Sequence, residues 1–151
     1  MNTRYKDLCN IFFNKIKDYS LASLDEETAY EIATNYIASA CLRFESCTQD
    51  LENRDDLLQE FEMQITPNNL EILTNYMVVE WIDREFVHTT SALKSRLSSS
   101  DFKSLNLQQQ LAKALEVRST LLSENDRLSI NKSYSPKTSK LYEVATSRKK
   151  V

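Results

Sequence analysis

The stretch TPNNLEILTNYMVVEWIDREFV, residues 66–87, is the most strongly marked element of the chain. Thr66 is a favoured N-cap residue, and Pro67 stands at the first helical position, where a missing N–H group is tolerated. From Leu70 to Val87 apolar residues occur on nearly every face of the predicted helix. Such a helix is central in a bundle, or it is covered on one side by a partner chain. This stretch therefore predicts the centre of a helical body.

Two aromatic residues of this helix have two interpretations. Trp81, the single tryptophan, is most simply a core residue. The alternative is that Trp81 and Tyr76 belong to an interface between subunits, because aromatic residues are enriched in such interfaces. Acidic residues of the same helix, at positions 80, 83 and 85, are interpreted as a solvated face rather than as a pair for acid–base catalysis.

Further helices are predicted on either side of residues 66–87, from apolar residues that recur at intervals of three and four. Together they predict an all-α protein, a compact bundle of about five helices with an extended C-terminal arm. The first predicted helix is Arg4–Tyr19, and the second runs from a cap at Ser23 or Asp25 to about Ser46. A short helix is predicted over 54–62. Residues 89–106 are predicted to hold a shorter helical segment followed by a break, the polar turn at residues 98–102, and the last helix is Leu107–Lys132. Within the last helix Arg118 and Asn125 interrupt the apolar seam, which favours packing against a core over a free coiled coil.

The chain contains no glycine among its 151 residues. Glycine builds the Walker loop, the dinucleotide fingerprint, the nucleophile elbow and the EF-hand loop, so these motifs are excluded. The acidic pattern Asp50-x-Glu52-x-x-Asp55-Asp56 has Arg54 in its fifth position and lacks the glycine of a calcium loop. It is interpreted as a solvated face. We therefore expect no catalytic residues, no metal, no cofactor and no enzymatic activity.

The cysteines and the hydropathy indicate a reducing compartment and no membrane segment. Cys41 and Cys47 do not have the spacing of a zinc site, and His88 is the single histidine. Cys9 and Cys41 are expected to be small buried residues, with Cys47 partly exposed at a helix end. No apolar run approaches the roughly 20 residues that span a bilayer, and no signal peptide is recognised.

The charge distribution divides the chain into two parts. Residues 1–131 carry 13 Lys and Arg against 21 Asp and Glu, whereas residues 132–151 carry six against one. We therefore predict a helical body, residues 1–132, and a basic arm, residues 133–151, that suits a negatively charged partner surface. The predicted partner-binding residues of this arm are Tyr134, Lys137, Lys140, Leu141, Tyr142, Val144, Arg148, Lys149 and Lys150.

The order of the packing residues over about 10–135 resembles that of the small all-helical head–tail connector (adaptor or neck) proteins of tailed bacteriophages. The residues that carry this resemblance are Phe13-x-x-Ile16-x-Asp18-x-x-Leu21, Ala40-x-x-x-Phe44-x-x-Cys47, Asp50-Leu51, Phe61, Leu73, Met77-Val78-x-x-Trp81, the turn Ser99-Ser100-Asp101-Phe102, and Ser133-Tyr134.

The resemblance implies a structural virion protein of the neck, made in the host cytoplasm. It implies a homo-oligomeric ring, commonly of twelve subunits, that docks on the portal protein through the C-terminal arm and receives the next neck or tail protein. DNA would pass nearby without sequence-specific binding, and an acidic body suits a channel wall. The alternative is a cytosolic helical protein-binding or regulatory module that recognises its partner through the arm. A nucleic-acid-binding protein is a third possibility.

Overall fold

The computed structural model describes residues 1–18, 26–84 and 101–147, with side chains described for 1–16, 30–84 and 108–131. In these residues the protein is mostly helical and carries one small sheet. The elements in chain order are β1 Thr3–Arg4, α1 Tyr5–Asp18, α2 Glu26–Arg43, β2 Arg54–Asp55, β3 Glu60–Phe61, α3 Pro67–Ile82 and α4 Asp101–Ser147. The predicted caps of helix two, Tyr19 and the segment 85–100 lie outside this part of the chain.

Helix α3 is the centre of the fold, as its sequence predicts. It packs against α1, α2 and α4, and its buried side chains lie on all sides of the helix. Thr66 is the N-cap, with its side chain accepting a hydrogen bond from the Asn69 N–H, and Pro67 opens the first turn. Both N-terminal predictions are confirmed. The core around α3 includes Phe12 of α1 and Tyr36 of α2, whose rings lie 6.1 Å apart.

The predicted helix over residues 54–62 is wrong. β2 and β3 form an antiparallel hairpin there, and β1 pairs with the other edge of β3, giving the order β1-β3-β2. The Asp55 Oδ1 atom accepts hydrogen bonds from the backbone N–H groups of Leu57 and Leu58, at 2.8 and 3.0 Å. An aspartate that binds the backbone ahead of it favours a turn over a helix. Gln59 completes the turn with a φ of 55°, in the left-handed region.

Helix α4 is longer than its sequence predicts at both ends. It begins at Asp101, inside the predicted polar turn, and continues past Lys132 to Ser147 as one helix of 47 residues. The predicted end at Lys132 is therefore wrong. A proline in a helix interior costs about 3 kcal/mol, because it lacks a backbone donor and its ring clashes with the preceding turn, yet α4 continues through Pro136 to Ser147. Four helices lie in the described residues, and the count of about five stays a prediction.

No helix in the described part of the chain is long and apolar enough to cross a lipid bilayer.

Candidate functional site

Helices α3 and α4 are joined by polar contacts at two levels. The Asn75 Nδ2 atom donates a hydrogen bond of 2.9 Å to Asn125 Oδ1, and Asn125 Nδ2 donates one of 3.3 Å to the Ile72 carbonyl oxygen. Eight residues further along α3, Asp83 Oδ1 accepts a hydrogen bond of 2.7 Å from Arg118 Nε. Because Asn75 meets Asn125 and Asp83 meets Arg118, the two helices run antiparallel.

These contacts explain the two polar residues that interrupt the apolar seam of α4. Asn75 and Asn125 are each only 1% exposed, so each amide must find its hydrogen bonds within the protein. A shift of α4 by one turn along α3 would separate both pairs at once. The paired asparagines therefore specify the register of α4, as single buried asparagines do in coiled coils.

A charged network surrounds the Asp83 end of this contact. The Arg43 Nη2 atom lies 2.8 Å from Asp83 Oδ2, and Arg43 Nε contacts Glu80. The side chains of Glu80 and Asp83 are only 13% and 18% exposed. Their interpretation as a solvated face is wrong, because both carboxylates pair with arginines from neighbouring helices. Glu85 lies outside the described residues.

At the other end, Lys15 of α1 completes the contact with two hydrogen bonds from its Nζ atom. One goes to Asn75 Oδ1 and one to Glu71 Oε1, both at 2.5 Å. The amide of Asn75 is thereby held from α1 and from α4 together. Three helices thus meet at this polar cluster, which extends from the buried asparagines to the half-exposed Glu71.

Among the α4 side chains that the structure describes, which end at residue 131, the last one packed on the core is that of Leu128. Ala114, Val117 and Leu121 are buried, and Leu128 is partly buried against the core. Beyond Leu128 the helix runs for another 19 residues to Ser147, about 28 Å at 1.5 Å per residue. Helix α4 is therefore a wall of the core, and its residues 129–147, here called the projection, continue beyond Leu128.

The predicted arm residues fall on this projection in part. Residues 134, 137, 140, 141, 142 and 144 lie in the α4 helix, whereas residues 148–150 lie outside the described chain. Their role as a docking arm stays a prediction, and so does a role of Tyr76 and Trp81 in a subunit interface. Within the single chain Trp81 is 4% exposed, and the half-buried Tyr76 ring lies 5.9 Å from the ring of Phe44.

A groove of about 790 Å³ lies between the C-terminal half of α2 and the loop over residues 47–54. Its apolar surface includes Leu42, which is 75% exposed. Three exposed acids, Glu45, Asp50 and Glu52, lie around it, with Arg54 as the one base among the lining residues. The groove is therefore of mixed character, with an exposed leucine beside polar and acidic side chains.

Gln49 fixes the groove loop to the beginning of α3. Its Oε1 atom accepts hydrogen bonds from the Thr66 N–H at 3.0 Å and from Asn69 Nδ2 at 2.7 Å. Its Nε2 atom donates one of 2.9 Å to the Gln64 carbonyl oxygen. Its Nε2 atom also lies 3.9 Å from the Met63 sulfur, so one side chain with four partners holds the loop in place.

The hairpin tip presents two leucines to solvent. Leu57 and Leu58 are 95% and 69% exposed. The turn beneath them is braced by Tyr5, whose N–H donates to the Gln59 carbonyl oxygen at 2.8 Å and whose hydroxyl donates to Asp56. Tyr30 adds a hydrogen bond of 3.0 Å to Gln59 Oε1. Burial, and then this bond to Asp56, raises the pKa of Tyr5 above its usual range.

The predicted burial is confirmed for Cys9 and the predicted partial exposure for Cys47, whereas Cys41, expected to be buried, is only partly so. Cys9 is buried in the core, and Cys41 and Cys47 are partly buried. Burial raises the pKa of Cys9 to about 12 and that of Cys41 to about 11, so both thiols keep their protons at neutral pH. Among the described residues, no three Cys, His, Asp or Glu side chains are grouped so that they would hold a metal ion.

The groove and the hairpin are the features that sequence reasoning missed. Asn53, Asp55 and Asp56 are residue types that favour a turn, whereas the spacing of Leu57 and Leu58 with the nearby apolar residues indicates a helical face. No known protein identifies these features, because the chain matches no protein-family model, no curated protein and no solved structure.

Proposed function

We propose that this protein is a structural component of a virion, a head–tail connector whose body of about five helices docks on a portal through the C-terminal part of α4. The observation that supports the proposal best is that α4 continues for about 28 Å beyond Leu128, the last of its described side chains that packs on the core. A helix that long, attached to so small a body, suits a protein that joins two larger components.

The fixed register of α4 strengthens the proposal. Contacts of Asn125 with Asn75 and of Arg118 with Asp83 hold the helix on the body at two levels. The projection therefore leaves the body at a set position, as a docking arm requires. Its sequence combines lysines with Leu141, Tyr142 and Val144, and this mixture suits a partner surface that is apolar and acidic.

The charge of the body supports the second part of the proposal, a position beside the DNA path. Residues 1–131 carry eight more acidic than basic residues. Such a surface repels the phosphate backbone, so DNA passes without binding. The proposed partners are the portal, the next neck or tail protein, and further copies of the chain in a ring of about twelve subunits. The twelvefold symmetry rests on the resemblance to phage connectors alone.

The test is binding to the portal protein encoded in the same genome. A variant without residues 134–151 keeps every described contact of α4 with α3, so we expect an unchanged far-ultraviolet spectrum per helical residue and a cooperative unfolding transition. We expect it to lose portal binding in sedimentation velocity. The hairpin variant Leu57→Ser is the control, because it alters an exposed apolar residue outside the arm. Unchanged portal binding by the truncated variant would refute the docking role.

A further inference from the structure

We propose that the groove between α2 and residues 47–54 binds the C-terminal segment of α4, residues 132–147, from a second copy of this chain. The inference goes beyond docking on a portal and does not rest on it. It concerns how copies of the protein join each other before any other component is present.

The first argument is the exposed apolar surface within the groove, which is one part of a mixed polar and apolar lining. Leu42 is 75% exposed and lies beside Ala38 and the partly buried Cys41. A volume of about 790 Å³ holds several side chains. An exposed leucine by itself is ordinary on a protein surface, but here it lies in a concave region whose loop is held rigid by Gln49. A preformed surface of this kind loses little conformational entropy when a partner binds.

The second argument is the charge around the groove. Glu45 and Glu52 are exposed, and within the described residues no Lys, Arg or His nitrogen lies within 4 Å of either carboxylate. Arg54 does not neutralise them, because its Nη1 atom donates to the Leu51 carbonyl oxygen at 2.8 Å and its Nε atom lies 3.5 Å from Asp56. The groove therefore favours an apolar segment that carries positive charge.

The third argument is that this chain contains such a segment. Residues 132–147 carry three lysines against one glutamate, together with Leu141, Tyr142 and Val144. Opposite charge on the groove and on the segment speeds their encounter and selects the orientation of binding. Burial of Leu141 or Tyr142 against Leu42 supplies the apolar contact, at roughly 25 cal/mol per Å² of apolar surface buried.

The fourth argument is that the segment and the groove must come from different copies. Helix α4 is continuous to Ser147 and is fixed on the body through Asn125. One continuous helix does not reverse its direction, so we infer that residues 132–147 do not fold back onto their own α2. Each copy thus offers one segment and one groove, which is a head-to-tail contact. Head-to-tail contacts form closed rings when the rotation closes.

The experiment is sedimentation velocity of the full chain alone, between about 50 mM and about 500 mM salt, because salt screens charge pairs of this kind. We expect association at low salt that weakens as salt rises. Leu42→Ser should weaken the association at least tenfold, which corresponds to about 1.4 kcal/mol, and its exposure means that folding is unaffected. Leu57→Ser is the matched control, since Leu57 is even more exposed but lies outside the groove.

A charge exchange tests the pairing of segment with groove. Glu45→Lys with Glu52→Lys, and separately Lys137→Glu with Lys140→Glu, should each weaken association about tenfold. Equimolar mixing of these two variants should restore it, because the acidic segment of one then meets the basic groove of the other. A monomer at every salt concentration, an unchanged Leu42→Ser variant, or no recovery on mixing would overturn the proposal. Intact association without portal binding would contradict the proposed function alone.

Discussion

Replacing Asn125 with alanine tests whether the buried asparagine pair fixes α4 on the body. The change removes the 2.9 Å bond from Asn75 and the 3.3 Å bond to the Ile72 carbonyl. A net hydrogen bond contributes about 1 kcal/mol, and a buried donor left unpaired costs about 1–3 kcal/mol more. The Ile72 carbonyl keeps its place in the helix ladder, so the main penalty falls on Asn75. We expect a loss of about 2–4 kcal/mol in the free energy of unfolding.

Urea unfolding followed by circular dichroism measures this loss. With a slope of about 2 kcal/mol per molar urea, the midpoint should fall by about 1–2 M while the slope stays constant. Ser123→Ala, an exposed change on the same helix, should shift stability by less than about 0.5 kcal/mol. The matched double variant of Asn125 and Asn75 should lose less than the sum of its single variants, by about 0.5–3 kcal/mol.

Two results would refute this reasoning. One is an Asn125→Ala variant within about 0.5 kcal/mol of the parent, which would mean that the amide contributes little. The other is strict additivity of the two single variants, which would mean that the asparagines do not depend on each other.

Three further predictions concern the body. Gln49→Ala should lower the free energy of unfolding by about 2–3 kcal/mol, because it removes the hydrogen bonds of this side chain to Thr66, Asn69 and Gln64. Gln64→Ala should be nearly neutral, and urea midpoints compare the two variants. Trp81→Ala should lower the free energy of unfolding by about 3–5 kcal/mol, because it leaves a cavity in the core. A decrease below about 1 kcal/mol, measured by calorimetry, would contradict the core position of Trp81. Stability should fall as pH rises above 9, because burial raises the pKa of Cys9 from 9.0 to about 12 and that of Cys41 to about 11. The unfolded chain releases these protons first, so the stability present below pH 9 is lost towards pH 12; Cys9→Ala should flatten this dependence in urea midpoints measured against pH.

Much of the central helix is predictable from sequence because its signals are local. The cap at Thr66 and the proline after it act within one turn. Apolar residues on all faces of a helix indicate that the whole helix is buried. The prediction of a helix over residues 54–62 is wrong because the spacing of its apolar residues indicates a core face, whereas Leu57 and Leu58 are exposed at the hairpin tip. The hairpin depends on the pairing of β3 with the distant β1, which no local pattern contains.

The length of α4 and the groove illustrate two other limits. Pro136 lies inside α4, although a proline disfavours a helix interior, so the local sequence does not predict that the helix continues to Ser147. The groove arises from Gln49 binding the start of α3, a contact across 17 residues for the Thr66 N–H. Side-chain amides give no periodic signal, so such a contact is visible only after folding. Arg118 and Asn125 are predictable from sequence, because polar residues that interrupt an apolar seam indicate packing against a core, and both contact α3.

The left-handed Gln59 has a consequence for the order of folding. A residue other than glycine in this conformation costs about 1–2 kcal/mol, and an isolated two-stranded hairpin is at best marginally stable in water. The turn therefore gains its stability from Tyr5 and Tyr30, which lie 54 and 29 residues earlier in the chain. Contacts over such separations form slowly. We expect the hairpin to form late, in one cooperative step with the first residues of the chain, so that the N-terminus and the exposed leucines become ordered together.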